Sequence, residues 1–155
     1  MSSYDKTGTL LTCTETKPDD ILEINFNDFP DLLLPYAVAC LCKGIHFHFT
    51  GVSHLRLKES DRISSLQTES AKLGFDVKAG DDWIKWTGET LTPVDSPVID
   101  PHDDHRVAMA FAVAAIKFEN IRIEHPEVVE KSFNDFWNQL EKLGLHPQID
   151  SLNNI

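Results

Sequence analysis

Apolar residues run almost unbroken from position 31 to 43, Asp-Leu-Leu-Leu-Pro-Tyr-Ala-Val-Ala-Cys-Leu-Cys-Lys, and stop at Gly44. A stretch apolar on nearly every side predicts a buried helix, with Pro35 tolerable near its start and Gly44 closing it. Past the glycine the pattern turns to strict alternation. Ile45, Phe47 and Phe49 share one side and His46 and His48 the other, which predicts a strand with two surface histidines. Helical spacing returns between 59 and 73, where Ile63, Leu66 and Leu73 recur on one face, acidic residues open the segment and Gly74 ends it. The segments Phe75-Asp76-Val77 and Trp83-Ile84-Lys85-Trp86, split by Ala79-Gly80-Asp81-Asp82, predict a hairpin.

The order then recurs. An apolar helix is expected over Val107 to Ile116, a strand at Ile121-Arg122-Ile123, and an amphipathic helix carrying Phe133, Phe136, Trp137, Leu140 and Leu143 before Gly144. Corresponding positions keep a nearly constant offset: 74 from Asp31 to His105, 73 from Lys58 to Lys131, 70 from Gly74 to Gly144. Two copies of one α-β-α-β unit, at about 20–90 and 98–150, fit this spacing. Leu10-Leu11-Thr12-Cys13-Thr14 and Ile21-Leu22-Glu23-Ile24 are candidate strands ahead of the first copy, and the proline-bearing stretch from Pro93 to Pro101 links the copies.

Composition narrows the class. With 155 residues, 41% of them hydrophobic, the chain fits one domain with one core. No apolar run is long enough to span a membrane, and no basic-then-apolar leader opens the sequence, so a cytoplasmic location is expected. Three cysteines, Cys13, Cys40 and Cys42, predict reduced thiols rather than a disulfide. A net charge of −11 excludes a nucleic-acid or anionic-membrane partner over most of the surface. Any anionic ligand must meet a local basic cluster.

Such a cluster is legible at the predicted helix starts. Asp31, then Lys58-Glu59-Ser60-Asp61-Arg62, then His102-Asp103-Asp104-His105-Arg106, then Lys131 occupy equivalent corners of the two copies. Helix N-termini offer unpaired N–H groups and partial positive charge, and Lys58, Arg62, Arg106 and Lys131 would add four cations to a cleft fit for phosphate or carboxylate. Lys58 and Lys131 fit solvated surface lysines equally well, and Asp61 is accounted for as a complement to the helix dipole. The string His102-Asp103-Asp104-His105 has the residue types of a metal site, but matching ligand spacing elsewhere is lacking and Arg106 beside it opposes a cation, so no metal is expected.

Leu57 to Arg62, Asp103-Asp104-His105-Arg106-Val107-Ala108-Met109 and Glu130-Lys131-Ser132-Phe133 together resemble three signature segments of the 5-enolpyruvylshikimate-3-phosphate (EPSP) synthase family, and Phe29-Pro30-Asp31 resembles a fourth. Order and spacing are kept from about residue 20 onward. The sibling family, UDP-N-acetylglucosamine enolpyruvyl transferase, is similar but matches these strings less well. A non-catalytic anion-binding module is the alternative from another class.

The resemblance implies an α/β fold of the enolpyruvyl transferase type, an inverse α/β barrel of repeated α-β-α-β-β units, of which this chain would supply two of the three units of a C-terminal domain. It implies transfer of the enolpyruvyl group of phosphoenolpyruvate to the 5-hydroxyl of shikimate 3-phosphate, releasing phosphate, without metal or other cofactor. Asp31 is then expected to contact the shikimate hydroxyls and take the attacking proton, with Lys58 on the same hydroxyl. Glu59 is expected to protonate the methylene carbon of phosphoenolpyruvate and later remove a proton from it. Arg62 and Arg106 would bind its carboxylate, Lys131 would lie near its phosphate, and His105 would neighbour the reacting centre. Two positions depart from the family pattern: His54 stands where many members carry an Asn that touches shikimate 3-phosphate, and Asn134 replaces a proline at a helix entry. The chain is further expected to need the missing N-terminal portion of the enzyme as its partner and to be inactive alone.

Overall fold

The computed structural model describes residues 2–5, 8–11 and 21–148. Two short strands, β1 (Ser2–Asp5) and β2 (Gly8–Leu11), pair antiparallel at the start. The strand expected at 10–14 therefore overlaps β2 at Leu10 and Leu11, and its remainder, 12–14, lies outside the described residues.

β3 (Leu22–Asn25) and β4 (Phe47–Thr50) run parallel because the helix between them, α1 (Leu33–Lys43), carries the chain back across the sheet. A 3-10 turn, Pro30–Leu32, leads into α1, and Gly44 ends it at φ 67, giving its N–H to the Cys40 and Leu41 carbonyls. That left-handed stop is one that a glycine adopts without strain. The helix is less buried than its composition suggests. Leu33, Leu34, Ala37, Val38, Cys40 and Leu41 are buried, while Tyr36 on the other side is 45% exposed. Burial pushes the Cys40 thiol up to about 11, and Cys40 and Cys42 are both free.

The hairpin is present, one strand shifted from its expected place: β5 is Lys78–Ala79 and β6 is Trp83–Trp86. β6 also pairs antiparallel with β4, Phe49 opposite Ile84, which completes a sheet in the order β3-β4-β6-β5. Alternation puts Phe47, Phe49, Ile84 and Trp86 on the buried face. Against that face pack α1 and α2 (Arg62–Lys72), joined in one core by Phe26, Leu55, Ile63 and Leu66. The strand in the 45–49 region begins two residues later than the alternation implied, leaving His46 before it, and His48 pairs with Glu23 at 3.8 Å.

Beyond the linker, β7 (Val98–Ile99) and β8 (Arg122–Ile123) form a second parallel pair across α3 (His105–Ala112) and the 3-10 turn Val113–Ile116. A further 3-10 turn, Pro126–Lys131, precedes α4 (Phe136–Lys142). Phe133, expected within the last helix, lies before it. Helix α3 serves two cores: Val107, Ala110 and Phe111 enter the large one, Ala108 and Ala112 a smaller one with Val128, Val129, Phe136 and Leu140.

Candidate active site

The starts of α1, α2 and α3 meet at one place. Asp31 sits in the 3-10 turn before α1, Arg62 is the first residue of α2, and His105 and Arg106 open α3. The starts of α2 and α3 have a local cause. Asp61 takes an extended conformation and accepts from the N–H groups of Ile63 and Ser64 at 3.1 and 3.0 Å, and Asp104 accepts from the Arg106 N–H at 2.9 Å. The N–H groups expected to receive a ligand are thus partly taken by the chain's own caps.

At the centre is Arg62, only 2% exposed. Its Nε donates to Asp104 at 2.7 Å, Nη1 to Asp31 at 3.0 Å and Nη2 to Glu59 at 2.9 Å. The planar fork of a guanidinium suits three such partners, and a buried cation requires them. Arg106 adds a second guanidinium, its Nη2 2.8 Å from the other Asp31 oxygen, and Ser60 Oγ donates to Asp104 at 3.2 Å. Three carboxylates against two guanidiniums leave the cluster one negative charge in excess.

Asp104 is fully buried. Burial by itself would raise its pKa, but the hydrogen bonds from Arg62 and from the Arg106 N–H outweigh that and hold its carboxyl below the usual range. Burial likewise works against the charge of Arg62, and Asp104, Asp31 and Glu59 reverse it, so its pKa is raised. Asp31 and Glu59 differ from Asp104 in access: the side chain of each is 49% exposed.

Asp31, Glu59, Arg62 and Arg106, expected as site residues, are therefore in direct contact. His105 is buried beside them on α3, its Nδ1 without a hydrogen-bond partner among the described residues. Lys131 is tied in indirectly, its Nζ donating to the Asp103 carbonyl at 3.0 Å. None of the cluster's hydrogen bonds runs to Lys58, which is exposed, or to His54, which is half-buried in the 3-10 turn Ser53–Leu57. Asp104 and Ser60 lie within the polar strings at the helix starts, but sequence alone assigns neither a role of its own. An Asp just ahead of an apolar helix is an N-cap signal that marks Asp104, but no local pattern reveals its pairing with Arg62, 42 positions away.

His102 and Asp103, which lead to the cap, both have positive φ, 52 and 58. Non-glycine residues in that region cost roughly 1 kcal/mol or more each and persist only where surrounding contacts enforce them. A shallow concavity of about 400 Å³ lies elsewhere, on the outer sheet face among Glu23, Ile24, Asn25, His48 and Thr50. It gathers little charge, and the cluster, not the concavity, is the candidate site. Among the described residues no group of three or more His, Cys, Asp or Glu side chains is placed to hold a metal ion.

A sequence model of the family described as EPSP synthase (3-phosphoshikimate 1-carboxyvinyltransferase) matches residues 5–140. A 3-phosphoshikimate 1-carboxyvinyltransferase of Bacteroides fragilis strain YCH46 is 42% identical over 148 residues, which is 92% of this chain and 35% of the relative. One from Syntrophobacter fumaroxidans is 41% identical over 124 residues, 79% of this chain and 29% of the relative. The solved structure of an EPSP synthase from Acinetobacter baumannii superposes with a TM-score of 0.60 at 28% identity, covering 73% of this chain and 27% of that one. The chain thus spans about a third of the length of the curated relatives it matches.

Proposed function

The chain belongs to the EPSP synthase family, and on that premise we propose that it forms one wall of an active site that transfers the enolpyruvyl group of phosphoenolpyruvate to the 5-hydroxyl of shikimate 3-phosphate. The observation that carries the reading is the meeting of Asp31, Glu59, Arg62 and Arg106, drawn from three separate helix starts. We read residues 20–90 and 98–150 as two repeat units of a C-terminal domain whose other wall comes from the N-terminal portion of the enzyme. No helix among the described residues is long and apolar enough to cross a membrane.

In this reading the hydroxyl oxygen of shikimate 3-phosphate bonds to C2 of phosphoenolpyruvate while Asp31 takes the hydroxyl proton, and Lys58 reaches the same hydroxyl. Glu59, which takes up a proton from solvent once the substrate carboxylate displaces it from Arg62, delivers that proton to C3, and a tetrahedral adduct results. The C2–O bond to phosphate then breaks, Glu59 takes a proton back from C3, and phosphate leaves near Lys131 with the proton that Asp31 took. His105 neighbours the reacting carbon, and His54 takes the place on shikimate 3-phosphate where many family members carry Asn.

The paired state of the arginines suggests how the substrate enters. Arg62 Nη1 and Nη2 and Arg106 Nη2 are occupied by Asp31 and Glu59, both half exposed, whereas Arg62 Nε is held by buried Asp104. The carboxylate of phosphoenolpyruvate can take those outer donors by exchange. Exchange would also release Asp31 and Glu59 for the two proton transfers, so one event both binds the substrate and frees the acid and base.

The test supplies the chain with the remaining portion of the enzyme and follows phosphate release from both substrates. Glu59→Gln should lower turnover about 10²–10⁴-fold while shikimate 3-phosphate binding stays near wild type. Turnover within about threefold of wild type would remove Glu59 from the chemistry. Binding of inorganic phosphate as tight as that of shikimate 3-phosphate would instead favour a plain anion-binding module, and turnover with UDP-N-acetylglucosamine as acceptor would favour the sibling family.

A further inference from the structure

Seven positions along α2 from Arg62, two turns on and on the same face, lies Glu69, a carboxylate with no exposed surface. It takes no part in the chemistry above. Its oxygens are nonetheless fully engaged: Oε2 accepts from Lys72 Nζ at 2.7 Å and from the Asp100 N–H at 3.1 Å, and Oε1 lies 3.0 Å from His102 Nε2. Asp100 also faces this group, its carboxylate 3.5 Å from His102 Nδ1 and accepting from the His102 N–H at 2.7 Å. Lys72 reaches onward to the Val98 carbonyl at 2.8 Å.

One face of α2 therefore grips the segment 98–104 at two points with opposite charge. Glu69 receives donors from Asp100 and His102, and Arg62 receives the carboxylate of Asp104. His102, in the first grip, and Asp103, between the two, both have positive φ, the conformation that turns the chain so that Asp104 caps α3 and points at Arg62. A strained turn of this kind needs outside contacts to persist. Glu69 supplies them at Asp100 and His102, and Lys131 adds one at the Asp103 carbonyl.

We propose that Glu69 is a positioning residue for the site, holding the 100–103 turn so that Asp104 orients the Arg62 guanidinium and Asp103 presents its carbonyl to Lys131. The substrate arm of the test below rests on the function proposed above; the structural arm does not. Loss of the grip lets the turn relax, and a displacement near 1 Å in a group that orients a substrate is enough to lower its effectiveness about 10²-fold.

Two variants separate the possibilities. Glu69→Gln keeps shape and can still accept from the Asp100 N–H and donate to a neutral His102 ring, whereas Glu69→Ala removes every contact. In the structural arm, amide hydrogen exchange is followed by NMR on the chain itself. Glu69→Ala should speed exchange at Asp104, which bonds the Pro101 carbonyl, and at Arg106 by tenfold or more, with β4 and β6 amides unchanged and Glu69→Gln restoring protection. Unchanged exchange at Asp104 and Arg106 overturns the proposal, as does equal loss in β4 and β6, which would mark Glu69 as general support. In the substrate arm, with the rest of the enzyme supplied, Glu69→Ala should weaken phosphoenolpyruvate binding about tenfold and shikimate 3-phosphate binding less than threefold. Equal weakening of both overturns the positioning role. Should the wild-type protein bind neither, the functional reading fails, and the exchange rates still decide whether Glu69 holds the turn.

Discussion

Residues 22–86 and residues 98–142 present a similar order of elements, a strand, a helical crossover, a parallel strand, a 3-10 turn and another helix, yet they are held together differently. The first closes its sheet with the β5-β6 hairpin, and four strands give a face on which Phe47, Phe49 and Ile84 have no exposed surface. The second has two strands of two residues each and a small core whose Phe136 and Leu140 keep 8% and 7% exposure. Short ladders cannot support themselves. What holds the second region is borrowed from the first: Val107, Ala110 and Phe111 of α3 are buried in the large core, and Asp104 ahead of them is clasped by Arg62. The candidate site lies on that seam, where the polar grip of one region on the other leaves Asp31 and Glu59 half exposed.

The sharpest way to break this contrast is to hollow the first region. Phe49→Ala should destabilise the chain by about 3–5 kcal/mol in urea unfolding, because a fully buried ring leaves a cavity that a paired sheet cannot close. Cutting the seam comes next. Asp104→Asn leaves buried Arg62 without its strongest partner and should cost roughly 3 kcal/mol near neutral pH. The pH dependence has a definite sign. The carboxyl of Asp104 is held below its ordinary pKa, so its contribution is complete above about pH 4 and lost as pH falls through the lowered value. The gap between wild type and Asp104→Asn should therefore be level from about pH 5 to 7 and narrow under stronger acid. A gap that widens in acid would contradict the pairing.

Smaller effects belong to the second region itself. Phe136→Ala should cost about 2 kcal/mol, less than Phe49→Ala, because the loose cluster around it can settle into the space. Equal costs would erase the distinction between the regions. Leu143, 79% exposed after α4, should tolerate Ser within about 0.5 kcal/mol in the same assay.

Much of this was visible in the order of residues. Alternation at Ile45 to Phe49 and helical spacing at Ile63 and Leu66 report burial directly, since each follows from the period of its backbone. Boundaries moved where local chemistry overrode the pattern: Asp61 stops α2 from starting at Glu59, since its side chain caps the next turn. Glu69 shows the limit. Its spacing of three from Leu66 places it on the buried face of α2, but a carboxylate there is explained only by Lys72 and the 100–102 backbone and ring that meet it.

By itself the sequence determined the main helices and the β4 and β6 strands to within a few residues, where glycine stops them, and that acids and cations gather at helix starts. All of these depend on neighbours within a few residues. Only the tertiary structure decided that Arg62 is enclosed by Asp31, Glu59 and Asp104 rather than open to solvent, and that the caps of α2 and α3 occupy N–H groups a ligand could have used. The reason is physical: a charge is paired or free according to what lies within about 4 Å of it in space, and residues 31, 62 and 104 reach that distance only when α1, α2 and α3 pack on a common core.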